Sequence, residues 1–199
     1  MRKLTLSMQM SLDGYIEGPS GEMDWFIIDE REQWTDMFEF HKSIDTILLG
    51  AGMYPDYADY WRRALSDPKA LPDEKEYSRL AGKTEHIVFS NSLTKVDPKA
   101  PEDYHGEWRK NTRIVKGDVK TEVLKLKQSS GKDIVLFGGA SMASSFIELA
   151  LIDEYRLFVN QIILGGGKSF FQKVKRRPLK LISSKTYKSG VVLLHYKTI

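Results

Sequence analysis

The 199-residue sequence predicts one α/β domain with a mostly parallel central sheet, flanking helices and an antiparallel C-terminal hairpin. Three observations support this prediction. Apolar runs typical of buried strands alternate with segments of helical periodicity along most of the chain. Glycine-containing turns follow several of these runs. Near the C-terminus, two β-rich runs flank Lys188-Ser189-Gly190, which is the pattern of a hairpin. No linker-like break or fixed-period repeat interrupts residues 1–199, so we expect a single domain.

The first half of the chain predicts three strands, at residues 4–10, 44–49 and 86–89. The first alternates apolar and polar side chains, whereas the other two are apolar runs typical of buried parallel strands. The helical spacing of Trp34, Met37, Phe38 and His41 predicts a helix. Pro72, followed by two acidic residues, predicts a second helix over residues 72–80. The aromatic-rich residues 54–67 leave the type of element open.

The second half begins with residues 95–111, whose polar, proline-rich composition predicts a surface excursion. Asp118 is a suitable N-cap for a helix that ends at Gln128. The spacing of Met142, Phe146 and Leu149 predicts the buried stripe of another helix. The remaining elements are strands at residues 113–115, 134–137 and 155–164 and the hairpin at 179–197.

Charge and composition exclude several classes of function. The 30 basic and 27 acidic residues give a net charge of +3. Only residues 173–177 form a dense basic cluster, which is typical of a solvated face rather than a nucleic-acid surface. No apolar stretch approaches the ~20 residues of a membrane helix, and polar residues interrupt the region where a signal peptide would have its apolar core. We therefore expect a cytoplasmic protein with neither a nucleic acid nor a membrane as partner.

We also expect neither thiol chemistry nor a metal site in this chain. The chain has no cysteine, which rules out disulfides, thiolate nucleophiles and iron–sulfur clusters. Its four histidines, at positions 41, 86, 105 and 195, show no metal-ligand spacing, and none lies near a Gly-x-Ser-x-Gly motif. His41 lies on an apolar helical face, where we expect a core residue.

The turn Gly138-Gly139-Ala140-Ser141 is the first candidate for ligand binding. Two glycines between a strand and a helix let the backbone approach a ligand without interference from a Cβ atom. The helix N-terminus offers unpaired N–H groups that suit a pyrophosphate, and Ser141 could cap this helix or donate to a phosphate. A plain strand-to-helix turn is the alternative, because Gly-Gly is not the G-x-G-x-x-G fingerprint of dinucleotide sites.

Three further features could contact a substrate. Gly165-Gly166-Gly167-Lys168 forms a loop that can pass close to a ligand, although a flexible turn fits the pattern as well. Asp13 could anchor a substrate hydroxyl or relay a proton, yet its local sequence is explained equally by a turn aspartate that binds its own backbone. Trp25 could stack on a heterocycle or fill the core.

Several of these residues belong to motifs of one family. Ser11-Leu12-Asp13-Gly14-Tyr15-Ile16 resembles the S-x-D-G-x-I signature of the riboflavin-biosynthesis reductase family. That family is the C-terminal domain of the bifunctional deaminase/reductase RibD, within the dihydrofolate reductase-like superfamily. Further segments resemble family elements in the same order: Met23-Asp24-Trp25, Leu48-Leu49-Gly50, Val88 to Leu93, Phe137-Gly138-Gly139, Leu151-Ile152-Asp153-Glu154 and Leu164 to Phe171. The resemblance covers the chain from about residue 4 to about residue 196 and implies a dihydrofolate reductase-like fold.

The resemblance also implies where the ligands lie. A nicotinamide dinucleotide would be lined by Leu49, Gly50, Ser90, Asn91 and the run Phe137, Gly138, Gly139, Ala140, Ser141 and Met142, with Ile16 at the nicotinamide ring. The substrate would face Ser11, Asp13, Trp25, Asn160, Gly165 and Gly166, and Asp13 is the candidate catalytic residue. This placement agrees with the rule that open α/β sheets bind ligands at the carboxyl ends of their strands.

Two departures from the family pattern concern cofactor choice. The family usually has Arg after the Gly of L-L-G, where this chain has Ala51, and often a basic residue where it has Asn91. A guanidinium suits the 2′-phosphate of NADPH because it can bind the phosphate in a bidentate manner. NADPH remains the expected cofactor, but the missing charges make NADH possible. A third departure is Gln161, where the family commonly has Pro.

The sequence therefore predicts a reductase that transfers hydride from a reduced nicotinamide to a small polar heterocycle. The family's default substrate is a 5-amino-6-(5-phosphoribosylamino)uracil-type compound, and no deaminase segment with zinc-ligand spacing is present. Two alternatives stay open. Dihydrofolate reduction would need a buried acid on the first helix, where Glu30, Glu32 and Asp36 are candidates. A non-catalytic nucleotide-binding module is the other. The apolar C-terminal hairpin and the resemblance together predict a homodimer.

Overall fold

The computed structural model describes residues 1–28, 31–94, 108, 110–172 and 174–199. Within these residues the chain forms eight strands and five helices. In chain order they are β1 Leu4–Ser11, α1 Arg31–Lys42, β2 Ile44–Gly50, α2 Tyr54–Ser66, α3 Pro72–Lys83, β3 Glu85–Phe89, β4 Thr112–Val115, α4 Val119–Gln128, β5 Asp133–Gly138, α5 Ala140–Glu148, β6 Glu154–Asn160, β7 Leu179–Thr186 and β8 Val192–Thr198.

All eight strands belong to one sheet, in the order β4-β3-β2-β5-β1-β6-β8-β7. The first six are parallel to their neighbours, and the pairs β6–β8 and β8–β7 are antiparallel. The prediction of a mostly parallel sheet with an antiparallel C-terminal hairpin is confirmed. Because the six parallel strands share one direction, their carboxyl ends lie along one edge of the sheet, which is where such sheets bind ligands.

The sheet is covered on both faces, as parallel sheets require. Side chains alternate across a strand, so Leu48 packs into the cluster that contains Phe146 of α5, whereas Ile47 and Leu49 pack into the opposite cluster. That second cluster holds the aromatic side chains of α1, α2 and α3, among them Trp34, Tyr54, Trp61 and Tyr77. Apolar burial on both faces explains why β2, β3 and β5 are apolar runs, whereas β1 keeps an alternating pattern although it is buried between β5 and β6.

Several sequence-based expectations need correction. The undecided residues 54–67 are mostly the helix α2, whose aromatic side chains supply much of one core cluster. β6 ends at Asn160 rather than at 164. Leu149 is exposed because α5 has already ended at Glu148, and the core contact passes to Leu151 and Ile152. The predicted surface excursion over 95–111 lies mostly outside the described residues.

His41 is the core residue that the sequence indicates. It is almost fully buried, and its Nε2 lies 2.8 Å from the Thr84 hydroxyl. Burial lowers the pKa of His41 to about 4, so the ring is neutral at physiological pH. Among the described residues, no helix is long and apolar enough to cross a membrane.

Candidate cofactor and substrate site

Strand pairing brings the candidate residues to the same edge of the sheet. Leu49 of β2 is the register partner of Gly138 of β5, and Gly50 is that of Phe89 of β3. On the other side of β5, Ser11 of β1 is paired with Asn160 of β6. The predicted cofactor residues therefore follow β2, β3 and β5, and the predicted substrate residues follow β1 and β6.

The two glycines at the end of β5, Gly138 and Gly139, differ in their surroundings. Gly138 has φ +103°, which favours glycine, and a Cβ on it would lie 2.8 Å from the Met8 sulfur, so the Met8 side chain would have to shift. Gly139 has φ +39°, and a Cβ on it would meet no described atom within 4 Å. Gly138 thus leaves room for the Met8 side chain of the neighbouring strand β1, whereas Gly139 keeps the backbone open toward the space beyond the sheet.

The N-terminus of α5 is available to a ligand. Its N-cap is Gly139, and no described side chain caps it, so Ser141 is not the cap that the sequence allowed. Ser141 is instead an exposed residue of the first turn. Within the described part of the chain, the Gly139 N–H donates to the Met53 sulfur alone, at 3.4 Å, and a thioether is a weak acceptor. Free first-turn N–H groups and the helix dipole make this a suitable place for an anion such as a pyrophosphate.

The ends of β2 and β3 form the adjacent wall. A Cβ on Gly50 would lie 3.4 Å from the Met142 sulfur, so β2 and α5 meet closely here. The Ser90 hydroxyl accepts hydrogen bonds from the Leu93 N–H at 2.9 Å and the Ser92 N–H at 3.2 Å, and it lies 3.5 Å from the Ser92 hydroxyl. Asn91 accepts from the Gly117 N–H at 3.3 Å. Ala51 and Asn91 carry no charge, so neither provides a cation for a 2′-phosphate.

The turn after β1 is organised by Ser11 and Asp13. The buried Ser11 hydroxyl donates to the Asp13 carboxylate at 2.6 Å and accepts from the Tyr15 N–H at 2.9 Å. Asp13 also accepts from Gly165 N–H at 2.8 Å and Leu164 N–H at 3.2 Å. The Ser11 hydrogen bond, with those from Gly165 and Leu164, holds the pKa of Asp13 below its usual value. At neutral pH this exposed carboxylate is ionised and acts as an acceptor rather than a proton donor.

Asn160 has a different environment from the one the sequence suggests. Its side chain is 1% exposed. The amide nitrogen lies 2.8 Å from the Gln9 oxygen, and the amide oxygen accepts from the Ile27 N–H at 3.3 Å. Asn160 thus ties the segment before α1 to β1 and β6. A buried amide with these partners has no surface to offer a substrate in this conformation.

Trp25 and Ile16, two further predicted site residues, differ in their burial. Trp25 is half-buried, its indole N–H donates to the Glu22 carbonyl at 3.0 Å, and its ring lies edge-on to Phe26. Ile16 is almost fully buried in a core cluster, so it can present only a small surface to a nicotinamide ring.

The glycine loop after β6 packs against the turn region of β1. Gly165 has φ +70° and open space at its Cβ position. A Cβ on Gly167 would overlap the Glu17 carbonyl, so this glycine is fixed by close backbone contact. Lys168 follows it and forms an ion pair with Glu17 at 2.5 Å. The loop is held at both ends, by Asp13 and by Glu17.

Sequence reasoning missed Met53 in this site. Its sulfur reaches Gly139 from the start of α2, a contact 86 positions away in sequence, and nothing in the local pattern indicates it.

The described acids considered for dihydrofolate reduction have other partners. Glu32 and Asp36 both pair with Lys185, and Asp36 accepts from the Tyr187 hydroxyl at 2.7 Å. Glu30 lies outside the described residues, within which no cluster of three His, Cys, Asp or Glu side chains could hold a metal ion.

Comparison with known proteins identifies the family to which the chain belongs. The model of the RibD C-terminal domain matches residues 2–193. The Bacillus subtilis protein YyaP, which bears the name of an uncharacterized protein, is 37% identical over 196 residues, covering 98% of this chain and 94% of its own.

Solved structures share the fold. A protein described as a riboflavin biosynthesis protein from Shewanella sp. PV-4 has a TM-score of 0.71 and 22% identity, over 100% of this chain and 99% of its own. Dihydrofolate reductase from Enterococcus faecalis, solved with NADP(H), has a TM-score of 0.59 and 13% identity, over 98% and 96%. These likenesses show that the fold is dihydrofolate reductase-like.

Proposed function

Because this chain belongs to the RibD C-terminal domain family, we propose that it is a nicotinamide-dependent reductase acting on a small heterocyclic substrate. The observation that carries this proposal is the N-terminus of α5. It follows two glycines at the carboxyl edge of the sheet, no described side chain caps it, and Gly139 faces open space.

The residues at this edge fit a dinucleotide. The first-turn N–H groups of α5 would hold the pyrophosphate, with Gly139 allowing its approach. Gly50, Ser90 and Asn91 would flank the adenosine half, and Ile16 would border the nicotinamide half. When bound, a reduced nicotinamide supplies the hydride, so the protein has to provide mainly orientation and exclusion of competing reactions.

At the substrate end, Asp13 is our candidate for contact with the reacting molecule. Its ionised carboxylate can accept a hydrogen bond from a hydroxyl or a ring N–H of the substrate. Because the pKa of Asp13 is lowered, the proton that accompanies the hydride would come from water. Trp25 would stack on a flat ring beside it.

The compound to test first is the family's default substrate, 5-amino-6-(5-phosphoribosylamino)uracil. Dihydrofolate reduction is less well supported, because both described acids of the first helix are engaged with Lys185. A non-catalytic binding module would retain dinucleotide affinity and lack turnover with any heterocycle.

The experiment that tests this proposal is a titration with NADPH and NADH, followed by tryptophan fluorescence, and then an assay of nicotinamide oxidation with the candidate substrate. We expect micromolar binding of at least one dinucleotide. Absence of binding to both would reject the reductase and the binding module together.

A further inference from the structure

The N–H group of Gly139, which is proposed to hold a pyrophosphate, has a methionine sulfur as its neighbour. The Met53 sulfur lies 3.4 Å from the Gly139 nitrogen and accepts its hydrogen bond. A Cβ on Gly139 would meet no described atom within 4 Å, and Met53 is itself only partly buried. The contact between the sulfur and the N–H therefore borders solvent.

The backbone fixes the position from which the Met53 side chain starts. Met53 is the N-cap of α2, its N–H donates to the Gly50 carbonyl at 3.0 Å, and its carbonyl accepts from the Tyr57 N–H at 3.0 Å. Gly50 is held in turn by the pairing of β2 with Phe89 of β3. Because both backbone groups of Met53 are engaged, its sulfur leaves Gly139 by rotation of the side chain.

A thioether and a sulfoxide differ strongly as hydrogen-bond acceptors. The thioether is a weak acceptor, so the charged oxygen of a pyrophosphate displaces it from the N–H. Hydrogen peroxide oxidises a thioether to a sulfoxide and is itself reduced. Its O–O bond breaks, one oxygen forms a bond with sulfur, and the other leaves as water. The sulfoxide oxygen carries a partial negative charge, and on Met53 it would bind the Gly139 N–H where a pyrophosphate oxygen has to bind.

The other methionines do not share this relationship. Within the described part of the chain, no sulfur except that of Met53 accepts a hydrogen bond. Met8 and Met10 are each only 9% exposed. Met142 lies at the same edge of the sheet, but its sulfur faces the Cβ position of Gly50, at 3.4 Å, instead of an N–H group. Met142 is therefore the matched control for Met53.

We infer that Met53 is a site of reversible oxidation, and that its sulfoxide closes the cofactor site by holding the Gly139 N–H. This inference rests on the proposed function, because it requires a dinucleotide pyrophosphate to bind that N–H. Dinucleotide binding and oxidation of Met53 then exclude each other. The chain loses its dinucleotide affinity under peroxide and regains it when a methionine sulfoxide reductase restores the thioether.

Peroxide treatment of the native chain tests this inference with two readouts. Peptide mass spectrometry measures oxygen addition at Met53. After removal of peroxide and a check of folding by circular dichroism, calorimetric titration gives the affinities for NADPH and NADH. We expect Met53 to gain one oxygen and the affinity to fall at least about tenfold. Methionine sulfoxide reductase should restore the affinity. An unmodified Met53, or an unchanged affinity once Met53 is oxidised, would overturn the inference.

Protection by the ligand is a second measurement on the native chain. Peroxide is added in the presence of a saturating oxidised dinucleotide, NADP⁺ or NAD⁺, which peroxide does not consume. The rate of oxygen addition at Met53 should decrease several-fold, whereas the rate at the exposed Met23 should stay the same. Equal rates at Met53 with and without dinucleotide would contradict the inference.

Two variants assign the loss of affinity to one sulfur, and each is compared with itself before and after peroxide. Met53→Leu keeps a similar apolar volume without sulfur, so peroxide should leave its affinity unchanged. Met142→Leu retains Met53, so its affinity should fall as that of the native chain does. Equal losses in the native and Met53→Leu chains, or a loss that Met142→Leu abolishes, would show the inference to be wrong. Failure of the proposed function is distinguishable, because the untreated native chain would then bind neither NADPH nor NADH.

Discussion

The carboxylate of Asp13 accepts a hydrogen bond from the backbone N–H of Gly165 at 2.8 Å, which joins the turn after β1 to the loop after β6. Both elements follow adjacent strands at the carboxyl edge of the sheet. The relationship gives the S-x-D-G motif a physical role. Ser11 orients the carboxylate, Gly14 adopts φ +88° in the turn, and Asp13 fixes the neighbouring loop.

Asp13→Asn should reduce turnover while leaving dinucleotide affinity intact. An asparagine has one acceptor oxygen and one donor nitrogen, so it cannot accept from Ser11, Leu164 and Gly165 with two oxygens as the carboxylate does. It also loses the charge that faces the substrate. Steady-state kinetics and a dinucleotide titration on the same variant check both effects. Asp24→Asn, an exposed acid of the same segment, is the matched control. Full activity of Asp13→Asn would withdraw the catalytic assignment.

Ala51→Arg should strengthen NADPH binding selectively. A guanidinium after β2 can form a charge-assisted pair with the 2′-phosphate that NADH lacks, worth roughly 1–3 kcal/mol. Affinities for NADPH and NADH, measured on the native chain and on the variant, give the change in preference. A native protein that already prefers NADPH by several orders of magnitude would show that another cation performs this task.

The decline of the free energy of unfolding at acid pH should depend on His86. This ring is fully buried and stacks on Trp108 with 4.8 Å between ring centroids, and burial lowers its pKa from 6.5 to about 3. Below pH 6.5 the unfolded chain therefore binds a proton that the folded chain does not, and the free energy of unfolding falls with pH. One such histidine accounts for about 2 kcal/mol between about pH 6.5 and about pH 5.

Replacing this histidine tests that slope. His86→Phe keeps an aromatic ring against Trp108 and removes the titrating group. Urea unfolding at several pH values should give a shallower acid decline for the variant than for the native chain. Identical slopes would show that other groups cause the decline.

The β7 edge of the sheet should mediate dimer formation. β7 pairs only with β8 among the described strands, and its neighbouring residues Leu181 and Ile182 are 49% and 46% exposed. We propose a homodimer that covers this edge, since exposed apolar edge strands favour pairing or burial. Light scattering should give a dimer at micromolar concentration, and Leu181→Lys should give a monomer. Leu124→Lys, at an exposed leucine on α4, should remain dimeric. A monomeric native chain would contradict the proposal.

The sequence predicts the fold better than it predicts the contacts of the site. Local periodicity and glycine turns are sufficient to place β5, the Gly138-Gly139 turn and α5, because each depends on neighbouring residues. The buried side chain of Asn160 is hydrogen-bonded to Ile27, which is 133 positions away, and the sequence pattern around Asn160 does not predict that contact. The Met53–Gly139 contact is of the same kind. The aromatic α2 is helical because its side chains fill a core whose other walls are distant in sequence.

The measurement that tests the central claim most directly is the dinucleotide affinity of Gly139→Val. A valine here would place its side chain in the open space beyond α5, where the pyrophosphate is proposed to lie. Gly165→Val is the matched control, because Gly165 also has positive φ and open space but belongs to the substrate end. Both variants are first checked for folding by circular dichroism. The account predicts that Gly139→Val loses at least about tenfold in dinucleotide affinity while Gly165→Val retains it. A folded Gly139→Val variant that binds NADPH and NADH as the native chain does would contradict the account.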